Sequence, residues 1–523
     1  MPTYNLTQIA QHNTVTSCWV IIRNKVYDVT DFLFDHPGGP QVIMGLAGQD
    51  ATAAYVPIHP FDALDKHIAP EKHLGDLDQA SILELRQAKK TQTKTRDELR
   101  VEEALKNRPP LSRIINVQDM EETAKKLLPY KALAYYASAA DDSITHIENA
   151  RAFSRFFFHP RVMRSVSGCD TSSTILGYKT SIPVYISGSA LARLGHPLGE
   201  VNLTRGAYKA GIIQMVSTNA SLSYGQIAAA RCSSDQPLFF QLYKHKNDTT
   251  AAKRIQEVEA LGYNAIFLTV DTLVPSNREM DTRAPHYLED FENQGTTRKS
   301  DSKDDQEEVD ILGTAGGLII NNDNDMTWER TIPWMRSVTR LPIIIKGTAF
   351  CVFSARADRQ CRGSMCRCEI VSVSSSLRSD CRKDAVLAAE AGCDGIVLSN
   401  HGGELQPCRL RTSLPPMEVL YKLHKEHPES ILMAASVAVL VGEQIIGFIT
   451  LHSWFFLDVL KALCLGAKAV GLGRAFLYAQ SAYGETGVVH LVRILQREIR
   501  FGMHSLGVRS IDQLSPEMVS AKS

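Results

Sequence analysis

Residues 238–271 read LFFQLYKHKNDTTAAKRIQEVEALGYNAIFLTVD, and the fold is decided by how this stretch is parsed. Two apolar runs, LFFQLY (238–243) and AIFLTVD (265–271), flank a polar segment of helical character. Neither run alternates apolar with polar, the pattern of a parallel strand buried on both faces. The same unit recurs in both directions. VYIS (184–187) and IIQMVS (212–217) precede it, and PIIIKG (342–347), GIVLSN (395–400) and AVGLG (469–473) follow, with ILMAASVAV (431–439) as an eighth candidate. Eight strands separated by helices predict an α/β (β/α)8 TIM barrel, in which chemistry sits at the C-terminal ends of the strands.

At 523 residues the chain exceeds one ordinary core and suits a small module plus a barrel. Residues 1–78 carry nine Asp and Glu against four Lys and Arg, a net charge of −5 within a protein of formal charge zero. Residues 79–110 are rich in Lys, Glu, Arg and Gln and read as a charged linker with helical tendency; the barrel is assigned to 111–515. Residues 286–326 interrupt the barrel pattern with charge, Gly, Ser and Asn, and read as a mobile insertion between strands four and five. A neutral chain offers no field for a nucleic-acid backbone. The apolar stretch 431–457 contains Glu443 and Gln444, so no membrane span is expected. No signal or transit pattern opens the sequence, which makes the cytoplasm the default compartment. Of eleven cysteines, Cys351, Cys361, Cys366, Cys368 and Cys381 crowd into one segment without a second spaced Cys/His pair, so zinc is not expected.

Within the acidic module stands Asp35-His36-Pro37-Gly38-Gly39, and His59 follows in Pro57-Ile58-His59-Pro60. Two imidazoles can clamp a haem iron from opposite faces, although a single His is more often a surface or satisfied core residue. Cys18-Trp19-Val20-Ile21-Ile22 and Val26-Tyr27-Asp28-Val29-Thr30 precede them, and the whole module resembles cytochrome b5. The resemblance implies a small α+β domain with a b-type haem held by His36 and His59. No Cys-x-x-Cys-His motif exists for covalent attachment.

The strand ends of the barrel form a second set. Ser187-Gly188-Ser189-Ala190 ends the first strand, Ser217-Thr218 the second, Gln241 and Tyr243 the third, Thr269 and Asp271 the fourth, Lys346 the fifth and His401 the sixth. Six consecutive ends bearing polar or titratable groups are not a packing pattern. With Tyr135-Tyr136-Ala137-Ser138-Ala139-Ala140-Asp141-Asp142 and Ser399-Asn400-His401-Gly402-Gly403, they resemble the FMN-dependent 2-hydroxy-acid dehydrogenases. The haem module in front narrows the resemblance to the flavocytochrome b2 group.

That resemblance implies oxidation of an L-2-hydroxy acid, L-lactate above all, with electrons passing from FMN through haem b to cytochrome c. It makes His401 the general base, Asp271 its orienting partner, Tyr243 the contact to the substrate hydroxyl, and Arg278 and Tyr135 the holders of the carboxylate. Lys346 falls near the flavin N1 edge. Ser187, Gly188, Ser189, Ala190, Ser217, Gln241 and Thr269 fall around the flavin ring and ribityl chain, and Gly473 and Arg474 at its phosphate. It further implies a homo-oligomer, tetrameric in the family, and a mitochondrial intermembrane-space compartment as the alternative to the cytoplasm.

The chain departs from the family pattern in several places. Glu404 stands where the family has Arg after His-Gly-Gly, with Arg409 and Arg411 nearby. Segments 348–382 and 431–457 are atypical, and the second replaces an Asp-Gly-Gly-x-Arg-Arg-Gly phosphate turn; both read as foreign to the barrel. Asn219 stands where lactate-type members carry an apolar residue, which leaves the preferred acid open. Glu404 and the missing phosphate turn motivate one alternative, a haem electron carrier with an impaired barrel; a second, an oxidase that passes electrons to oxygen, is one that the fused haem module argues against.

Overall fold

In the computed structural model, residues 2–272, 275–293, 313–347, 381–403, 413–426, 438–442 and 457–522 are described. Glu404, Arg409, Arg411 and most of both atypical segments lie outside them.

The N-terminal module is a five-stranded sheet whose long central hairpin pairs Ser17–Ile22 with Lys25–Asp28. Its core, including Cys18, Val20, Ile22, Tyr27, Val29 and Leu33, faces three short helices, Pro40–Met44, Thr52–Tyr55 and Ala63–His67. The strand-turn-strand here is set by Arg23 and Asn24, both left-handed, at φ of 54° and 63°. Residues 79–110 contain two capped helices, Gln79–Thr91 and Arg96–Lys106. Arg100 donates to the carbonyls of Lys126 (2.9 Å) and Leu128 (2.6 Å), which fastens the second helix to the barrel.

Eight parallel strands close the barrel: Val184–Ile186, Ile213–Ser217, Leu238–Leu242, Ala265–Thr269, Ile343–Lys346, Gly395–Leu398, Ala438–Gly442 and Ala469–Leu472. The uniform hydrophobicity of the strand sequences conceals a period of two. Tyr185, Met215, Phe239, Phe267, Ile344 and Val397 form one core cluster, inside the barrel. Ile186, Val216, Phe240, Leu268, Ile345 and Leu398 pack in the other, against the helices. Above the aromatic interior the inward layer turns polar, with buried Ser217, Gln241, Thr269, Lys346 and Ser399. That layer is the floor of the site.

Two expectations are corrected. The seventh strand is Ala438–Gly442, not ILMAASVAV, because pairing of Ala438 to Gly395 and of Leu440 to Ala469 selects the β-branched end of the run. It lies inside a segment that read as foreign to the barrel, yet it closes the barrel. The supposed insertion at 286–326 is also partly regular. Helix Ala284–Glu292 enters it, Tyr287 stacks on Tyr130 with ring centroids 3.9 Å apart, and a helical turn, Gly313–Gly317, returns from it. Among the described residues no helix is long and apolar enough to cross a membrane.

Candidate active site

The site is built from residues two positions beyond the polar floor on the third, fourth and sixth strands: Tyr243 above Gln241, Asp271 above Thr269 and His401 above Ser399. His401 is the hub. Its Nδ1 lies 3.0 Å from Asp271 Oδ1 and its Nε2 3.1 Å from the Tyr243 hydroxyl. Lys346 Nζ, wholly buried, lies 3.4 Å from Asp271 Oδ2 and 3.2 Å from His401 Nδ1. Burial alone would raise the Asp271 pKa. The Lys346 ammonium, the His401 imidazole and hydrogen bonds from His401 and Thr272 outweigh it and hold the carboxyl well below the usual range.

Two glycines allow this crowding. A Cβ on Gly347, at φ +115°, would come within 2.6 Å of Asp271 Cβ; one on Gly403, at φ +76°, within 2.5 Å of the His146 amide. Three positions were not singled out from the sequence. Thr272 Oγ1 bridges Asp271 Oδ1 (3.1 Å) and His401 Nδ1 (3.2 Å), and Ser399 Oγ accepts from the His401 amide (3.0 Å). Ser138 Oγ accepts from Arg278 Nε (2.8 Å), whose guanidinium also donates to the Tyr135 carbonyl and lies 5.1 Å from the Tyr135 ring centroid.

Two adjoining clefts share Tyr135, Ala190, Tyr243, Arg278 and His401. The first, of about 420 Å³, adds Asn219, Leu318 and Ile319 and suits a small carboxylic acid. The second, of about 550 Å³, runs along Gly188, Ser189 and Ser217 to Gly473 and Arg474. Gly473 is the N-cap of the helix that begins at Arg474, and both residues line the far end of this cleft, where a helix N-terminus favours an anionic group. Ser187 Oγ and Gln241 Oε1 are buried without a hydrogen-bond partner, and a Cβ on Gly188 would strike Gln241 Oε1 at 2.2 Å. Unpartnered polar atoms in a buried layer beside a cleft are what a bound heterocycle satisfies. The residues fit a flavin.

In the module, the His36 and His59 ring centroids stand 6.1 Å apart. Two metal–nitrogen bonds of about 2 Å and two ring radii give roughly that span. His36 Nδ1 is engaged by the Gly39 carbonyl (3.1 Å) and His59 Nδ1 by the Tyr55 carbonyl (3.2 Å), which leaves each Nε2 for the iron. Burial lowers both pKa values, that of His59 to about 4, which favours the neutral imidazole that ligates iron. The residues fit a haem. No cluster of three or more metal-ligating side chains occurs among the described residues.

Residues 5–78 match the family model of the cytochrome b5-like haem/steroid binding domain, and residues 124–359 and 380–521 that of the FMN-dependent dehydrogenases. The chain is 38% identical over 516 residues to an L-lactate dehydrogenase (cytochrome) of Wickerhamomyces anomalus, covering 98% of this chain and 79% of that protein. It is 37% identical to the same enzyme of Saccharomyces cerevisiae, covering 98% and 78%. A solved flavocytochrome b2 variant with pyruvate bound superposes with a TM-score of 0.64 at 33% identity, over 82% of this chain and 92% of that one. With FMN and haem b as its cofactors, the chain belongs to the FMN-dependent dehydrogenase family, in the flavocytochrome b2 form that carries a cytochrome b5-like module ahead of the barrel.

Proposed function

We propose that this protein oxidises an L-2-hydroxy acid, L-lactate in the first instance, to the 2-oxo acid and delivers the electrons through its haem to cytochrome c. The observation that carries the reading is the contact set Tyr243–His401–Asp271–Lys346 at the junction of the two clefts. FMN, when bound, supplies the two-electron acceptor. His401 Nε2, on the cleft side, takes the substrate proton, and Asp271 fixes the opposite edge of the ring and stabilises the imidazolium that forms. Tyr243 orients the substrate hydroxyl. Arg278, locked by Ser138 and Tyr135, pairs with the carboxylate together with the Tyr135 side chain. Lys346 sets a buried positive charge where negative charge grows on the flavin edge. Ser187, Gly188, Ser189, Ala190, Ser217, Gln241 and Thr269 hold the ring and ribityl chain, and Gly473 and Arg474 the phosphate. His36 and His59 ligate the haem iron.

The module of residues 1–78 is acidic and suits a basic acceptor such as cytochrome c. We infer the mitochondrial intermembrane space as the compartment that suits such an acceptor, and the family resemblance supports a homotetramer.

The test is cofactor content followed by anaerobic reduction. Protein with one FMN and one haem per chain, in which L-lactate bleaches the flavin and then reduces the haem, supports the reading; protein with haem alone overturns it. His401→Gln keeps both cofactors and lowers kcat by about 10²–10⁴. Flavin bleaching at the parental rate in that variant would show that another group is the base.

A further inference from the structure

The turn at residues 313–319 touches both halves of the molecule. On one side Ala315, Gly316, Leu318 and Ile319 wall the substrate cleft. On the other, a Cβ built on Gly317 would meet Gly38 Cα and the Pro37 carbonyl oxygen, each at 3.2 Å, in the loop that carries His36. The second haem-ligand loop also leans on the barrel, since Ile58, next to His59, packs against the barrel core. An ion pair at the rim, Lys66 to Glu257 at 2.9 Å, adds to the same contact.

The turn is fixed from the barrel side at both ends. Its Ala315 amide donates to Asp281 Oδ2 (2.9 Å), three residues from Arg278. Beyond it, the Lys246 amide donates to the Asn321 carbonyl (2.9 Å), and buried Asp323 pairs with buried Lys244 (2.7 Å). Between these anchors the Leu318 carbonyl accepts from Asn219 Nδ2 (3.4 Å). A short, doubly anchored segment does not yield easily, so whatever projects from position 317 must displace the haem module instead.

The geometry points to Gly317 as a positioning residue that sets the seating of the His36 loop on the barrel, and with it the transfer of electrons from the flavin cleft to the haem. It rests on the proposed flow of electrons but not on the identity of the substrate. Gly317 is not in the left-handed region, so a side chain there strains no backbone, and its effect is confined to the contact. Alanine needs the loop to yield by a few tenths of an ångström; valine, with two further methyls, forces the surfaces apart.

The experiment uses the full holoenzyme and compares Gly317→Ala with Gly317→Val. In stopped-flow mixing with L-lactate, flavin bleaching in both stays within twofold of the parent, whereas haem reduction slows at least tenfold in the valine variant and less in alanine. Hydrogen exchange reads the seating directly: the amides of His36, Gly38 and Gly39 and those at 313–319 lose protection in the valine variant, while the low-spin haem spectrum is unchanged. Haem reduction at the parental rate in Gly317→Val overturns the inference, as does an equal slowing of flavin bleaching, which would assign the residue to the cleft wall. If L-lactate fails to reduce the parent, the functional reading fails first, and photochemical reduction of the flavin then supplies electrons for the same comparison.

Discussion

His401 occupies a left-handed backbone conformation, φ 54°, which a non-glycine residue adopts at a cost of about 1–3 kcal/mol. The surroundings over-determine it: Ser399 Oγ holds its amide, Asp271 its Nδ1, and the Ala140 amide donates to the Gly403 carbonyl at 3.0 Å. Asp271 and Thr272 both reach Nδ1, and only the carboxylate can stabilise the charged ring. Asp271→Asn is therefore expected to lower kcat with L-lactate by about 10³–10⁴, comparable to loss of the orienting carboxylate in a serine-protease triad. Thr272→Val removes the hydroxyl that bridges Asp271 and His401, a loss of about 1 kcal/mol, and lowers kcat about fivefold, with FMN retained in both. Steady-state kcat values for the two variants decide the matter, and a larger loss for Thr272→Val would reverse the roles. His401, Asp271, Tyr243 and Lys346 were legible in the sequence because titratable groups interrupt apolar runs at strand ends. Thr272, Ser399 and Ser138 were not, since small hydroxyl residues beside turns are ordinary everywhere and their task appears only with the partner across the barrel.

Helix Leu457–Cys464 follows the second atypical segment and buries Asp458 in its first turn, 3.1 Å from Lys461. Burial pushes the Asp458 carboxyl up to about 6, and Lys461 only partly offsets it. An unfolded Asp titrates near 3.9, so between about pH 4 and 6 the folded chain holds a proton that the unfolded chain has lost. Stability therefore falls as pH rises through that window, and the deficit is complete above pH 6. Asp458→Asn is expected to stabilise the barrel by on the order of 3 kcal/mol above pH 6 and to change little below pH 4. Thermal midpoints at pH 8 and pH 4 test this; equal differences at both would rule out a charged, buried Asp458. At this scale the strands were legible wherever apolar runs were bounded by turn residues, and the polar layer at their ends marked the active face. The seventh strand was misplaced because Ile431 to Leu457 is apolar almost throughout, and only pairing with Gly395 and Ala469 selects Ala438–Gly442. The turn at 313–319 was missed for the opposite reason: a Gly-rich composition gives no periodicity, although its Leu318 and Ile319 close the cleft.

For the whole molecule, the order of acidic module, helical connection and barrel was readable from charge and hydrophobic period, and the haem from the cytochrome b5 resemblance, but the seating of one on the other was not, because it depends on Gly317, Ile58 and Lys66 meeting surfaces far away in sequence. The same separation of scales bears on the first atypical segment. The FMN-dependent dehydrogenase match stops at residue 359 and resumes at 380, while on either side strand Ile343–Lys346 pairs directly with Gly395–Leu398. The barrel's closure thus runs through residues outside 360–379. Removing those 20 residues shortens the connection between Gly347 and Cys381 from 33 residues to 13. Loop closure costs (3/2)RT ln n, so the shortened chain should gain about 0.8 kcal/mol at most. A chain lacking 360–379 is expected to keep its FMN and haem content, to bleach its flavin with L-lactate within twofold of the parent rate, and to melt at the same temperature or slightly above. Loss of FMN on deletion, with the haem retained, would show instead that these residues help build the flavin site, and that this chain reaches the cofactor in a way the family match does not contain.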